Sequence, residues 1–347
     1  MKKIISMALL AMMCGVGQVA KAQLPKLKDT PITAKLGGYI VGDYSYYTDE
    51  EVNKTAGFNL RYARVYVNGT VAKDFKYRLQ AEMAGAPGVD KGPRVLDAYA
   101  EWVKYSWLNV RFGQMKRIFT FENPYNPWTV GFGSYAQIIT KLAGMNDRCG
   151  EHASGGRDLG FMLQGDLFPV GNDEHNLLHY QVGVYNGQGI NHQDANENKD
   201  IIGGLWLSPF KNLQIGAFGW KGKYTGNGVT VDRDRMAFGV KYEADWTARA
   251  EYITSKGKSV SNTSLGDEAD GWYAAVGVPV GDQFKIYGKW DVYRDDKTSA
   301  TQKSLYGIAL NYWLDKNLLL QGGYNFCDDN ALDKTYHMLQ MQVYVRF

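Results

Sequence analysis

The feature that most constrains this chain is an alternation of apolar and polar residues with a period of two, repeated over nearly its whole length. In Leu339–Phe347 the odd positions are Leu, Met, Val, Val and Phe, and the even positions are Gln, Gln, Tyr and Arg. Neighbouring side chains on a β-strand point to opposite faces, so one face of this segment is apolar and the other polar. The split recurs. Phe75, Tyr77, Leu79, Ala81 and Met83 interleave with Lys76, Arg78, Gln80 and Glu82. Trp246, Ala248, Ala250 and Tyr252 interleave with Thr247, Arg249 and Glu251. Phe284, Ile286, Gly288, Trp290 and Val292 interleave with Lys285, Tyr287, Lys289 and Asp291. No segment reads as a continuous apolar strand or as a long amphipathic helix. A soluble sandwich also alternates, but the uniformity here favours a sheet closed in lipid.

The N-terminus fixes the compartment. Met1-Lys2-Lys3 is a basic start, Ile4–Ala20 is uncharged, and Ala20-Lys21-Ala22 precedes Gln23 as a small-residue cleavage site. That is the layout of a secretory signal peptide over residues 1–22. Residues 23–35 are expected as a short periplasmic segment and 36–347 as the barrel. Past the leader, no window approaches the ~18 apolar residues of a spanning helix, so a membrane-spanning mature chain must cross with strands.

Charge excludes one class of partner. Of 39 basic residues, Lys2, Lys3 and Lys21 belong to the leader, so the mature chain balances 36 basic against 36 acidic residues. A nucleic-acid binder would show a basic excess. Any ion preference must come from local placement of charge. Cys149 and Cys327 are the only cysteines past the leader, which is no disulfide framework and no metal cluster. His175 and His179 have i, i+4 spacing, but on a turn and strand, so no metal site is expected. No G-x-S-x-G elbow or phosphate-binding glycine loop occurs, and no serine–histidine pair can be placed on one strand face, so no catalytic residue is assigned. No cofactor is expected either.

Strands are expected to begin near residues 36, 57, 74, 94, 107, 157, 177, 200, 211, 232, 246, 271, 283, 302, 317 and 335. Sixteen is an even number of the size used by bacterial outer-membrane barrels, whose short turns alternate with long loops. Ser208–Phe210 and Asp315-Lys316 read as short links, and Phe168–Asn176 as an unusually long one. The stretch from Gln114 to Gly156 is longer than any other. Unstructured links of that size are rare unless they carry function. It contains the turn-rich cluster Asn123-Pro124-Tyr125-Asn126-Pro127-Trp128 and a more apolar piece, Tyr135–Met145, readable as a short helix or strand. A loop so rich in Phe, Tyr, Trp and Ile is expected to fold into the lumen and narrow it.

Three ordered motifs surround that loop: Arg111-Phe112-Gly113-Gln114-Met115-Lys116, Gly156-Arg157-Asp158-Leu159-Gly160-Phe161, and Tyr180-Gln181-Val182-Gly183-Val184-Tyr185-Asn186-Gly187-Gln188-Gly189. In this order they resemble the phosphate-selective porin O and P family of Gram-negative outer membranes, and the similarity extends over most of the mature chain. Phe347 resembles the terminal signal read by the outer-membrane assembly machinery. The resemblance implies an all-β, transmembrane antiparallel barrel of about sixteen strands with its third outer loop in the pore. It also implies a homotrimer, contact with lipid bilayer and lipopolysaccharide, and basic residues along an anion path. The mixed signs on the polar faces carry the fold over better than the phosphate specificity.

Two residue sets follow. Arg64, Lys76, Arg78, Arg111, Arg249, Lys285 and Lys289 fall on polar parity and are expected to line the lumen, although Arg64 shares its parity with Leu60 and Tyr62. Lys116, Arg117, Arg148 and Arg157, with Glu122 and Asp158, lie in or beside the long loop and are expected to shape a constriction. Basic groups there would concentrate anions in a narrow, low-dielectric channel. Solvated wall with internal ion pairs is the competing reading. Trp102, Trp107, Trp220, Trp290, Trp313 and several tyrosines are expected in girdles at the bilayer surfaces. The expected function is passive diffusion of small solutes, with anions such as phosphate the first choice. The alternatives are a general or sugar-like pore, in which Tyr287, Tyr293 and Tyr344 would line the path, and a plugged structural or adhesive barrel.

Overall fold

The computed structural model describes residues 31–53, 56–84, 92–151, 154–171, 175–262 and 264–347. The leader and most of the expected periplasmic segment lie outside these residues, as does His152.

Among the described residues, eighteen strands form in chain order. They are β1 (Lys35–Tyr47), β2 (Gly57–Ala72), β3 (Phe75–Glu82), β4 (Arg94–Tyr105), β5 (Leu108–Lys116), β6 (Arg157–Val170), β7 (His175–Tyr185), β8 (Asp200–Phe210) and β9 (Leu213–Lys221). After a small hairpin, β10 (Lys223–Gly226) and β11 (Val229–Asp232), come β12 (Asp234–Glu243), β13 (Thr247–Lys256), β14 (Glu268–Val280) and β15 (Phe284–Arg294). The series ends with β16 (Gln302–Asp315), β17 (Leu318–Asp329) and β18 (Lys334–Arg346). All except the hairpin close into one antiparallel barrel of sixteen strands, sealed by β1 on β18 with Tyr39 opposite Arg346. Closure matters physically because hydrocarbon cannot satisfy an open strand edge.

Every barrel strand begins within three residues of its expected start. At one end of the barrel the links never exceed four residues, and at the other all but the four-residue link between β17 and β18 run longer. Two expected links are corrected. Ser208–Phe210 is the end of β8, and the turn expected over Phe168–Asn176 shrinks to residues 171–174 because β6 and β7 extend further. The hairpin β10–β11, inside a long loop, was not anticipated.

The outward face is the apolar parity. On β18, Leu339, Met341, Val343 and Val345 are 42–59% exposed while Gln342 and Tyr344 are 2% or less. Aromatic groups gather near both rims: Trp102, Tyr105 and Trp107 at the short-turn end, and Trp272, Trp290 and Tyr306 toward the long-loop end. Two of the expected girdle tryptophans turn inward instead. Trp220 is buried in the interior, and Trp313 packs on Val41, Leu319 and Tyr344, whose side chains are inside.

Inside the barrel lies a packed hydrophobic core, built largely from the long loop. Phe119, Phe121, Val130, Phe132 and the short helix α1 (Gln137–Leu142) press against the inner faces of β9 and β12–β16. The wall makes room with small residues there, among them Ala237, Ala269, Ala275 and Ala309. Each large side chain buried this way contributes about 1.5–3 kcal/mol, enough collectively to offset the entropy of ordering the loop. Polar clasps fix its register. Glu251 accepts the main-chain N–H groups of Phe121 (2.7 Å) and Glu122 (2.9 Å), and Asp291 accepts that of Gln137 at 3.0 Å. The loop expected to fold inward does so, with helix α1 in its apolar piece.

Candidate pore constriction

The loop divides the interior unequally. Against β6, β8 and β12 it is locked by an ion network without solvent access. Arg117 donates to Glu151 at 2.6 Å and lies 3.5 Å from Asp158. Arg233 bonds both Glu151 and Asp200, and Arg235 holds Asp147 at 2.6 Å. The indole of Trp220 sits among the three guanidinium groups, 4.7–4.9 Å from each, and donates its N–H to Asp200. Burial works against the ionised forms of Asp147 and Glu151, yet the surrounding arginines hold both carboxyls below their usual range. Burial also pushes the Cys149 thiol up. Cys149 and Cys327 are both buried and unbridged.

The resemblance motifs are explained here. Gly187 and Gly189 both have positive φ (83° and 84°), and a Cβ would meet Asp200 at 2.8 Å in the first case and Glu151 at 2.7 Å in the second. The main-chain carbonyl of Gly187 accepts from Arg233, and its N–H donates to Asp158 at 2.7 Å. The glycine and GRD motifs therefore build the root of the inward loop.

Along β1–β6 and β16–β18 the interior stays open as two cavities. The one toward the long-loop end is about 450 Å³ and the one toward the short turns about 370 Å³. Three residues line both: Arg64, Lys116 and Arg157. They stand where the two cavities meet. Arg157 holds Asp97 at 2.7 Å and Arg64 holds Glu82 at 2.7 Å. Lys116 is held by carbonyls, those of Asn123 (2.7 Å) and Tyr125 (3.0 Å), rather than by a carboxylate.

The charge count along this path is one-sided. Arg61, Arg94, Lys141 and Lys303 line the outer vestibule, and Arg78, Arg111 and Arg346 the inner one. With the three shared residues that makes ten cations among the described residues, against two carboxylates on the lining, Glu82 and Asp97. Asp43, Glu101 and Asp329 pair with Arg61, Arg111 and Lys303 from positions off the lining.

The expected site residues thus separate. Lys116, Arg157, Arg64, Arg78 and Arg111 meet at the open path. Arg117, Asp158, Arg148 and Glu122 line neither cavity. The first two are sealed in the ion network. Arg148 is tied to Asp295 and to the carbonyl of Gly266, and Glu122 lies under the loop near Arg249. Arg249 and Lys289 point inward but are covered, Arg249 bonding the carbonyl of Val130 and Lys289 pairing with Asp291 beside Phe132. Lys76 and Lys285 lie outside both cavities, toward the short turns. Tyr287, Tyr293 and Tyr344 are also covered, and the tyrosines that line the path are others, including Tyr39, Tyr62, Tyr66, Tyr99 and Tyr135. Arg64 reaches the lumen because β2 carries a bulge at Arg61. Val41 pairs with Tyr62 and Gly42 with Leu60, so Leu60 faces out while Tyr62 and Arg64 face in. Among the described residues no group of three His, Cys, Asp or Glu is placed to hold a metal. His179 instead bonds Asp166 and stacks on Trp206.

The sequence profile of the Gram-negative porin family matches residues 8–332. No curated protein matches the chain significantly. Among solved structures, the barrel is similar to the anion-selective porin from Comamonas acidovorans, with 14% identity over 91% of this chain and 100% of that one, at a TM-score of 0.67. It is similar to OmpF of Salmonella typhi in complex with daunomycin, with 14% identity over 90% and 97% of the two chains and a TM-score of 0.66. In-vitro folded OmpT of Vibrio cholerae in its trimer form gives 13% identity over 92% and 100%, with a TM-score of 0.64. At these identities the likeness is one of fold. A closed, lipid-facing barrel of sixteen strands, a loop packed into its lumen and a family match over nearly its full length make one conclusion: the chain belongs to the Gram-negative porins, the outer-membrane barrels through which small solutes diffuse passively.

Proposed function

We propose that the pore prefers anions, and that Arg64, Lys116 and Arg157 form its selectivity eyelet. The carrying observation is that, among the described residues, ten cations line the open path against two carboxylates. In a narrow passage with low-dielectric walls such a surplus raises the local concentration of anions and repels cations. The overall neutrality of the mature chain does not oppose this, because the field in a narrow passage follows the charges that line it rather than the total. The similar fold of an anion-selective porin agrees with the reading. Phosphate stands among the candidate anions through the motif resemblance. A homotrimer, cleavage of residues 1–22 and assembly through Phe347 belong to the same proposal.

The test is the reversal potential of single channels in a planar bilayer under a salt gradient, with inorganic phosphate titrated in. Displacement toward the chloride equilibrium potential supports the proposal, and block by phosphate extends it to that anion. A potential near zero favours the general pore. The packed core inside the barrel favours a plugged structural barrel as a second reading, and absence of conductance would establish it.

A further inference from the structure

The cations of the open path are mounted on aromatic rings. The guanidinium carbon of Arg64 lies 4.3 Å from the centroid of Tyr62, that of Arg78 lies 4.5 Å from Tyr66, and that of Arg111 lies 4.5 Å from Tyr99. Arg64, Tyr66, Arg78, Tyr99 and Arg111 all line the inner vestibule, across which Arg346 stands over Trp128. Arg111 keeps its buried Nε without a hydrogen-bond partner. The amide side chains of Asn68, Gln80 and Asn126 line the same space; Arg78 donates to Asn68 and Gln80 (both 2.8 Å) and to Asp97 (3.4 Å), and Arg111 donates to Glu101 at 2.9 Å, which leaves each guanidinium with further N–H groups.

A bare inorganic anion uses N–H donors and charge but gains nothing from ring faces, which offer it no hydrogen bond. A solute with both a carboxylate and apolar C–H faces uses the two together, and amides along the wall suit its hydroxyl groups. At about 370 Å³ the vestibule is within the range of small-molecule sites. We infer that the inner vestibule is a binding track for acidic saccharides: carboxylates on the guanidinium groups of Arg78 and Arg111, sugar faces on Tyr66 and Tyr99, hydroxyls on the amides. This rests on the anion preference proposed above and names the class of anion. The same residue pairing in the locked half gives no such track, because Trp220 and its three arginines are sealed from solvent.

The experiment compares block of single-channel current by digalacturonate, inorganic phosphate and the neutral disaccharide maltose. Digalacturonate should block at concentrations about tenfold lower than either of the others, a difference of about 1.4 kcal/mol. Replacing both rings, Tyr66→Leu with Tyr99→Leu, should abolish that advantage, and a variant that keeps it overturns the track. An anion-selective channel in which digalacturonate blocks no better than phosphate overturns the track and leaves the anion preference standing. A cation-selective channel overturns both. Should the double variant fail to insert, the ranking of the three probes on the unaltered protein decides alone.

Discussion

The two halves of this barrel's interior use the same residue type for opposite ends. In the locked half, Arg117, Arg233 and Arg235 meet Glu151, Asp158, Asp200 and Asp147, so three guanidinium groups face four carboxylates with no access to water. In the open half, ten cations among the described residues face two lining carboxylates across space a solute can enter. Arginine becomes a structural rivet where its counter-charges are buried with it and a steering charge where they are scarce. The loop is what separates the cases. By filling one side it confines traffic to the other, and it aligns Lys116, at its root, with Arg64 and Arg157.

The comparison breaks most forcefully at the rivets. Arg233→Ala leaves Glu151 and Asp200 buried without their shared partner, which should cost about 3–5 kcal/mol. The expected outcome is a lower unfolding temperature in detergent and protease access to residues 117–156, with larger and noisier conductance. Unchanged loop protection would mean that the hydrophobic core alone fastens the loop. A smaller effect comes from pH. Because Asp147 and Glu151 are held below the usual carboxylate range, their pairing stabilises the loop at all pH values above that range, and the contribution is lost as pH falls through it. The stabilisation these two carboxyls give the loop should therefore persist from pH 8 down to pH 5 and be lost only below about pH 4. Loss of protection near neutrality would contradict the assignment.

How much of this was legible in the sequence differs between the halves. The barrel was nearly complete on the page, because alternation reports one side chain at a time which face meets lipid. The inward loop was legible from its length and aromatic content. Parity on β18 already put Arg346 on the polar face, and carrying the parity of Gly307, Ala309 and Asn311 back along β16 leads to Lys303, so both lining cations had a signal. Arg64 was obscured because a one-residue bulge reverses the face of everything after it. The division between Lys116 or Arg157 and Arg117 or Arg148 was not legible. It depends on how the loop path pairs residues more than eighty positions apart, such as Arg233 with Glu151. Parity shows that Lys289 points inward but not that Phe132 covers it.

That division gives the most direct test. Lys116 and Lys289 are both lysines directed into the lumen, one at the open eyelet and the other under the loop. The reversal potential of Lys116→Gln channels, measured at low ionic strength to limit screening, should move toward zero, with the chloride-to-potassium permeability ratio falling about fivefold, or ~1 kcal/mol. That of Lys289→Gln channels should stay at the unaltered value. Equal shifts in the two variants, or a shift in Lys289→Gln alone, would contradict the claim that selectivity resides in the open half.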